Sequence, residues 1–225
     1  ARLWDRDGSG ASALVAQPDG RILVAGHDSQ GALVACFLAN GKLDTSYGAG
    51  GFAVLAGTAG FSPVAVALQG GQLLVAGTFD AATASARFGL CRLTAAGFLD
   101  PTFDGDGIQS TTLPNGGAAN GLALQPDGKI VLVGYARNSP SGYSLALVRY
   151  DANGALDTSF DGDGRVITTV GAAGGATIGH AVIPQVITGS ATMLLVAGRT
   201  GPVNPGGDGL LARYSLGGTL DPNFG

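Results

Sequence analysis

Glutamate is absent from the chain, and every one of its 16 acidic residues is Asp. Lysine occurs only as Lys42 and Lys129, so Arg supplies nearly all of the 12 basic side chains. Glu and Lys are strong helix formers that decorate helix surfaces, and their scarcity excludes a fold built from amphipathic helices. Asp, by contrast, bonds the backbone N–H groups of its own turn. The two cysteines, Cys36 and Cys91, lie on equivalent strands in neighbouring registers that point to opposite faces, so both are expected as free, buried thiols. The two histidines, His27 and His180, fall at unrelated places with no Cys or Glu cluster beside them. That excludes a Cys/His zinc site and a Ser-His-Asp triad. So few cysteines leave the redox compartment open, because a chain of this length has core enough without disulfide staples. A formal net charge of −4 with no basic patch excludes nucleic-acid binding and attraction to anionic membranes. No apolar run approaches the ~18 residues that span a bilayer, so membrane insertion is not expected.

What the chain does have is glycine, 40 residues of it with 10 prolines, beside a hydrophobic content of 45%. A disordered Gly-rich tract is not that hydrophobic. Short apolar strands punctuated by tight turns accommodate both facts. The punctuation is periodic, which makes repeats the first thing to establish. One marker is Val24-Ala25-Gly26, Val75-Ala76-Gly77, Leu132-Val133-Gly134 and Val196-Ala197-Gly198. A second is Leu43-Asp44, Leu99-Asp100, Leu156-Asp157 and Leu220-Asp221, each followed by an aromatic: Tyr47, Phe103, Phe160 and Phe224.

The third copy serves as template. Residues 121–125 form a short apolar strand, and Pro126-Asp127-Gly128 is a turn in which Pro presets φ and Gly takes the positive-φ position. Residues 129–136 are a second strand, 138–142 a polar loop, and 143–150 a third strand. Asn153-Gly154 marks a hairpin turn, residues 157–164 form an aromatic-anchored loop, and 165–170 are a fourth strand. Four short antiparallel strands in about 57 residues is the size of a propeller blade. Residues 130–133, 145–148 and 193–197 are nearly continuous apolar runs, which implies sheets covered on both faces, as in stacked blades. The expected fold is one all-β, β-propeller-type domain over residues 1–225. It has four repeats at approximately 13–64, 65–120, 121–179 and 180–225, with 1–12 as a closing strand.

These motifs resemble the delta-60 repeat family. The residues that carry the resemblance are Leu124-Gln125-Pro126-Asp127-Gly128-Lys129-Ile130, Leu132-Val133-Gly134, Arg149-Tyr150, Asn153-Gly154 and the run from Leu156 to Gly164. The first copy repeats them from Gln17 to Gly26. The fourth departs, since residues 185–192 lack the Pro-Asp-Gly turn. The resemblance implies a propeller-like fold and a place among bacterial surface and secreted proteins. It implies no particular activity.

The fourth copy reaches Phe224 without a fourth strand, while Ala1, Arg2, Leu3 and Trp4 stand at the spacing where one precedes the next turn. The expectation is that this N-terminal strand completes the last blade, in its own chain or in a neighbour's. Exchange between chains would give an oligomer or a fibre.

Several constellations bear on function. Asp104 and Asp106, and again Asp161 and Asp163, alternate with glycines as oxygen ligands do in calcium loops. The competing reading is a turn whose carboxylates bond backbone N–H groups. Arg92, Arg149 and Arg213 each precede the repeat Asp by eight residues, with Cys36 in that place in the first copy. Pairing across the turn or bonding to loop carbonyls is expected of them. Insertions after the Gly marker differ between copies and cluster on one rim, where a partner surface is expected. It carries Asp80, Arg87, Arg137, Tyr143, Arg199, Asn204 and Asp208. No catalytic residue and no cofactor is assigned, and calcium is the one ion considered. The expected function is a non-enzymatic bacterial module, secreted or on the cell surface, that binds another protein or a surface polymer or associates with itself. A self-assembling fibre and a calcium-assisted hydrolase or lyase are the alternatives.

Overall fold

The computed structural model describes residues 8–55, 58, 60–138, 142–170, 175–186, 192–201 and 207–224. Ala1 to Trp4, expected as the closing strand, lie outside the described residues, as does Asn204 of the expected rim. Blade 1 consists of β1 (Gly10–Ala16), β2 (Ile22–Asp28), β3 (Gly31–Phe37) and β4 (Phe52–Val54). Blade 2 consists of β5 (Phe61–Gln69), β6 (Gln72–Phe79), β7 (Arg87–Leu93) and β8 (Ile108–Thr111). Blade 3 follows with β9 (Gly117–Leu124), β10 (Ile130–Arg137), β11 (Tyr143–Tyr150) and β12 (Arg165–Thr168). Blade 4 contributes β13 (Ala176–Gln185), β14 (Met193–Gly201) and β15 (Asp208–Tyr214). Each blade is an antiparallel meander in chain order, and blades 3 and 4 are joined by one parallel bridge between Tyr143 and Ala176. The all-β, propeller-like repeat read from the sequence is the architecture of the protein. No helix among the described residues is long and apolar enough to cross a membrane.

The first strands of successive blades pack on one another, so they lie toward a common axis, and β4, β8 and β12 form the outer edges. Alternation along β2 and β3 sends Leu23, Ala25, Val34 and Cys36 forward, where they meet Leu73, Val75, Cys91 and Leu93 on the rear face of blade 2. The pattern repeats. Leu74, Ala76 and Leu90 meet Ile130, Leu132, Val148 and Tyr150, and Val131, Val133 and Leu147 meet Leu194, Val196, Ala212 and Tyr214. This double coverage is why the middle strands are apolar at every position. Three of the core clusters each lie between successive blades, 1 with 2, 2 with 3 and 3 with 4.

The Gly marker has a definite cause. In each first strand one residue is bulged out of register: Ser12, Val64, Asn120 and His180. The bulge pushes a carbonyl toward the second strand. A Cβ on Gly26, Gly77, Gly134 or Gly198 would lie 2.0, 2.3, 1.9 or 2.1 Å from the oxygen of Gly10, Ser62, Ala118 or Ile178. The bulge also carries each first strand further than the apolar pattern suggested, so the sheets start at Gly10, Phe61, Gly117 and Ala176.

Candidate functional site

The recurrent charges lie at the end of the sheets where the third strand turns toward the fourth. Asp100 uses Oδ1 to accept from the N–H and hydroxyl of Thr102 at 3.0 and 2.7 Å. Its Oδ2 accepts from Arg92 Nε at 2.8 Å and from Gln72 at 2.6 Å. Asp157 repeats this with Ser159, with Arg149 Nε at 2.8 Å and with Lys129 at 2.9 Å. Asp221 takes Arg213 Nε at 2.8 Å. In blade 1 Cys36 replaces the arginine, and Arg21 stands 3.7 Å from Asp44 instead.

Each arginine also lies over the recurrent aromatic of its own loop. Arg92 is 4.7 Å from the Phe103 ring, and Arg149 and Arg213 are 4.5 Å from Phe160 and Phe224. The remaining guanidinium nitrogen crosses to the next blade. Arg92 Nη1 donates to the Ala152 carbonyl at 2.7 Å, and Arg149 Nη1 donates to the Leu216 carbonyl. Beside it a backbone N–H makes the same crossing: Gly48 to Ala96 at 2.8 Å, Asp104 to Asn153 at 2.9 Å and Asp161 to Gly217 at 2.9 Å. Tyr47 and Phe103 pack against Gly97 and Gly154, where a side chain would meet the ring at 2.8 or 2.9 Å. These side chains form a joint between blades, and Arg92 and Arg149 each pair with their loop Asp while bonding a carbonyl of the following blade.

The joints set a pH response. Burial raises the Asp157 pKa, but bonds from Ser159 and Lys129 and the Arg149 charge outweigh it and hold the carboxyl well below its ordinary range. Burial acts likewise on Asp100, outweighed by Thr102 and Arg92. Asp44 is lowered by Ser46, and Asp221 by the Asn223 N–H and Arg213. Unfolded aspartate titrates near pH ~3.9. The stabilisation from lowered carboxylates is therefore complete above that value and is lost as pH falls through the folded values. The melting temperature should stay level from pH 7 to about 5 and fall steadily between about pH 4 and 2. A melting temperature unchanged at pH 2 would count against this role.

The structure gives the Asp-Gly-Asp-Gly loops backbone duties. Asp106 accepts from the Ile108 N–H at 2.8 Å, and Asp163 from the Arg165 N–H at 2.9 Å and its guanidinium at 3.2 Å. Asp104 and Asp161 sit at positive φ, 49° and 52°, where they send their N–H to the next blade. Burial, together with the charges of Asp106 and Asp151, raises the Asp104 pKa. Among the described residues no group of three or more His, Cys, Asp or Glu is gathered to hold a metal.

At the other end of the sheets lies the rim, between second and third strands. Arg87 pairs with Asp80 at 2.9 Å and covers the Phe79 ring at 5.4 Å. Tyr143 meets Tyr135 edge-on at 4.7 Å, with Arg137 6.0 Å from its ring. Arg199 and Asp208 mark the same end of blade 4. Among the described residues the rim side chains thus share one end of the sheets but belong to separate blades.

Two features escaped the sequence reading. Asn120, a bulge residue, donates its amide to the Gly179 carbonyl at 2.8 Å, and Thr78 bonds the Ala119 N–H at 3.1 Å, locking blades at the axis. Nothing in the residue types marks a bulge except the Gly opposite. The cysteines, as expected, are free and buried. They point to opposite faces, but the forward face of blade 1 meets the rear face of blade 2, so both lie in one core. Burial pushes the Cys91 thiol up to about 12.

A family model described as a domain of unknown function, the DUF5122 β-propeller, matches residues 17–47, 71–103, 125–160 and 193–224. Each segment ends on the recurrent aromatic of a joint. No curated protein matches the chain. Among solved structures it is similar to a GH43 endo-arabinanase from Bacillus licheniformis, at 12% identity and a TM-score of 0.47, over 96% of this chain and 77% of that one. It is also similar to an endo-arabinase from Bacteroides thetaiotaomicron VPI-5482, at 12% identity and a TM-score of 0.45, over 88% and 72%. A tail fibre of Staphylococcus aureus phage P68 follows at 15% identity and a TM-score of 0.36, over 91% and 40%.

Proposed function

The chain belongs to the DUF5122 β-propeller family, and on that premise we propose that it is a non-enzymatic structural and interaction module. We place it outside the bacterial cell or on its surface, with repeats of the delta-60 type. One observation carries this reading: the recurrent arginines of blades 2 and 3 are engaged in joints between blades, while the rim carries charged and aromatic side chains that differ from blade to blade. Side chains committed to holding blades together supply a scaffold. A rim that varies from blade to blade supplies individuality, with half-buried cations and aromatics suited to a protein or a surface polymer.

The test has two arms. Replacing Arg87, Arg137 and Tyr143 by Ala should leave the melting temperature within a few degrees, because an exposed pair such as Arg87–Asp80 contributes only ~0–1 kcal/mol. The same variant should lose most of the binding that the chain shows to isolated bacterial sacculi or to surface proteins. In the second arm the chain is incubated with arabinan, with and without calcium. Release of reducing ends would contradict the reading and favour the hydrolase.

A further inference from the structure

We propose that the joint between blades 1 and 2 is a binding site for a guanidinium group supplied from outside the chain. The site lies at the opposite end of the sheets from the rim, so it is separate from the partner surface described above. The neighbouring blades show what such a joint holds. In blade 2 the Arg92 guanidinium lies 4.7 Å from the Phe103 ring. Its Nε donates to Asp100 Oδ2 at 2.8 Å, and its Nη1 to Gln69 Oε1 at 3.1 Å and the Ala152 carbonyl at 2.7 Å. Its Nη2 donates to the Thr102 hydroxyl at 2.9 Å. Blade 3 builds the same cradle around Arg149 from Asp157, Ser159, the Leu216 carbonyl and the Phe160 ring.

Blade 1 keeps the acceptors of that cradle and replaces the donor. Strand register sets Cys36 opposite Leu23 as it sets Arg92 opposite Leu74 and Arg149 opposite Val131. Asp44 accepts from the Ser46 N–H and hydroxyl at 3.1 and 2.6 Å, as Asp100 does from Thr102. The N–H of Gly48 crosses to the Ala96 carbonyl as that of Asp104 crosses to Asn153, which sets the Ala95 carbonyl in the place of Ala152. Gln17 precedes its turn as Gln69 does, and its Oε1 is buried without a hydrogen-bond partner. The recurrent aromatic here is Tyr47, 2% exposed, and its hydroxyl is a second buried oxygen without a partner. Burial and Cys36 raise its pKa and Arg21 lowers it, which turns the hydroxyl toward the same joint. Leaving such groups unpaired is costly, and both can accept from a donor.

Arg21 does not take the guanidinium's place. It stands where Gln72 and Lys129 stand, at the start of the second strand, and its Nε is committed to Asp19 at 2.8 Å. Asp44 Oδ2 meets Arg21 at 3.7 Å and the Cys36 thiol at 3.9 Å, both longer than the 2.8 and 2.6 Å contacts of Asp100. Asp157 shows that one carboxylate serves two cations here, since Lys129 at 2.9 Å and Arg149 at 2.8 Å share its Oδ2. Burial and the Asp44 charge keep the Cys36 thiol neutral. The joint therefore combines one carboxylate, several neutral oxygens and an aromatic ring. A calcium ion needs more anionic oxygens than that. A flat, weakly hydrated monocation with forked donors matches it. Access is better than in blade 2: the Asp44 side chain is 12% exposed against 5% for Asp100, and Ala95 is exposed.

The experiment is an NMR titration of the full chain with methylguanidinium chloride, with ionic strength held constant by potassium chloride. The amides of Gly48 and Gly97, which flank the joint, should shift and saturate at millimolar probe. Cys36→Arg combined with Tyr47→Phe gives blade 1 the side chains of blade 2. That variant should melt at or above the temperature of the parent chain and bind the probe at least about tenfold more weakly. Gln17→Ala, at the half-buried edge of the joint, should fold normally and weaken binding severalfold. It carries the test if the double variant does not fold. A short capped peptide, Gly-Arg-Gly, separates the two sources of the group. Tighter binding of the peptide than of methylguanidinium assigns an arginine of a partner protein, and exclusion of the peptide assigns a small free cation. No saturable shift, an equal response to potassium alone, or unchanged affinity in Gln17→Ala would overturn the proposal.

Discussion

Arg92→Ala will destabilise the protein by about 3–5 kcal/mol, the range for removing one partner of a buried ion pair. Arg92 and Asp100 are 6% and 5% exposed at their side chains. Without the guanidinium, Asp100 keeps Thr102 and the neutral Gln72 but no cation, so a buried carboxylate is left without a charge partner. The Ala152 carbonyl loses its donor across the joint, and the Phe103 ring loses the planar group above it. Arg149→Ala should cost less although Arg149 is the more buried residue, because Lys129 remains 2.9 Å from Asp157. Arg165→Ala, which breaks an exposed pair with Asp163, should change stability by less than about 1 kcal/mol. Denaturant melts of the three variants give the order directly. Equal losses for Arg92→Ala and Arg165→Ala would mean that the joint is not a buried ionic contact.

Gly134→Ala should destabilise by about 3 kcal/mol or more, although it adds a single methyl group to an apolar strand. A Cβ there would lie 1.9 Å from the Ala118 oxygen, and the obstacle is backbone, which cannot swing aside. Overpacking a core typically costs about 1–3 kcal/mol when side chains can adjust, and here the bulge itself would have to move. Gly209→Ala is the control. Gly209 lies in β15 with nothing within 4 Å of the added atom and no positive φ, so the change should be neutral or stabilising by up to about 1 kcal/mol. Thermal melts in which the two variants behave alike would remove the bulge as the reason for the marker.

Much of the fold was legible because the repeat and the turn chemistry agree. Pro126-Asp127-Gly128 and Asn153-Gly154 placed the hairpins, and the apolar runs at 130–133 and 145–148 placed the middle strands. The starts of the first strands were not legible. Gly117 to Asn120 is too small and too polar to read as strand, and it joins the sheet because the bulge at Asn120 restores pairing beyond it. The pairing of Arg with Asp was readable from a constant spacing of eight residues, since both belong to one blade. The crossing to Ala152 and Leu216 was not, because it depends on how one blade stacks on the next. The cysteines illustrate the same limit. Alternation correctly sent them to opposite faces, but only the stacking shows that opposite faces of successive blades are the two sides of one core. The rim was found from differences between copies, which mark where the fold places no demand.

The central claim is that the recurrent arginine fastens its own blade to the next. Amide hydrogen exchange on Arg92→Lys tests it most directly, because Lys keeps the charge and loses the planar fork that reaches both Asp100 and Ala152. The Asp104 N–H, which bonds the Asn153 carbonyl across the joint between blades 2 and 3, should lose protection at least tenfold. The equivalent N–H groups of Gly48 and Asp161, at the joints on either side, should keep theirs. Unchanged exchange at Asp104, or an equal loss at all three, would contradict the account.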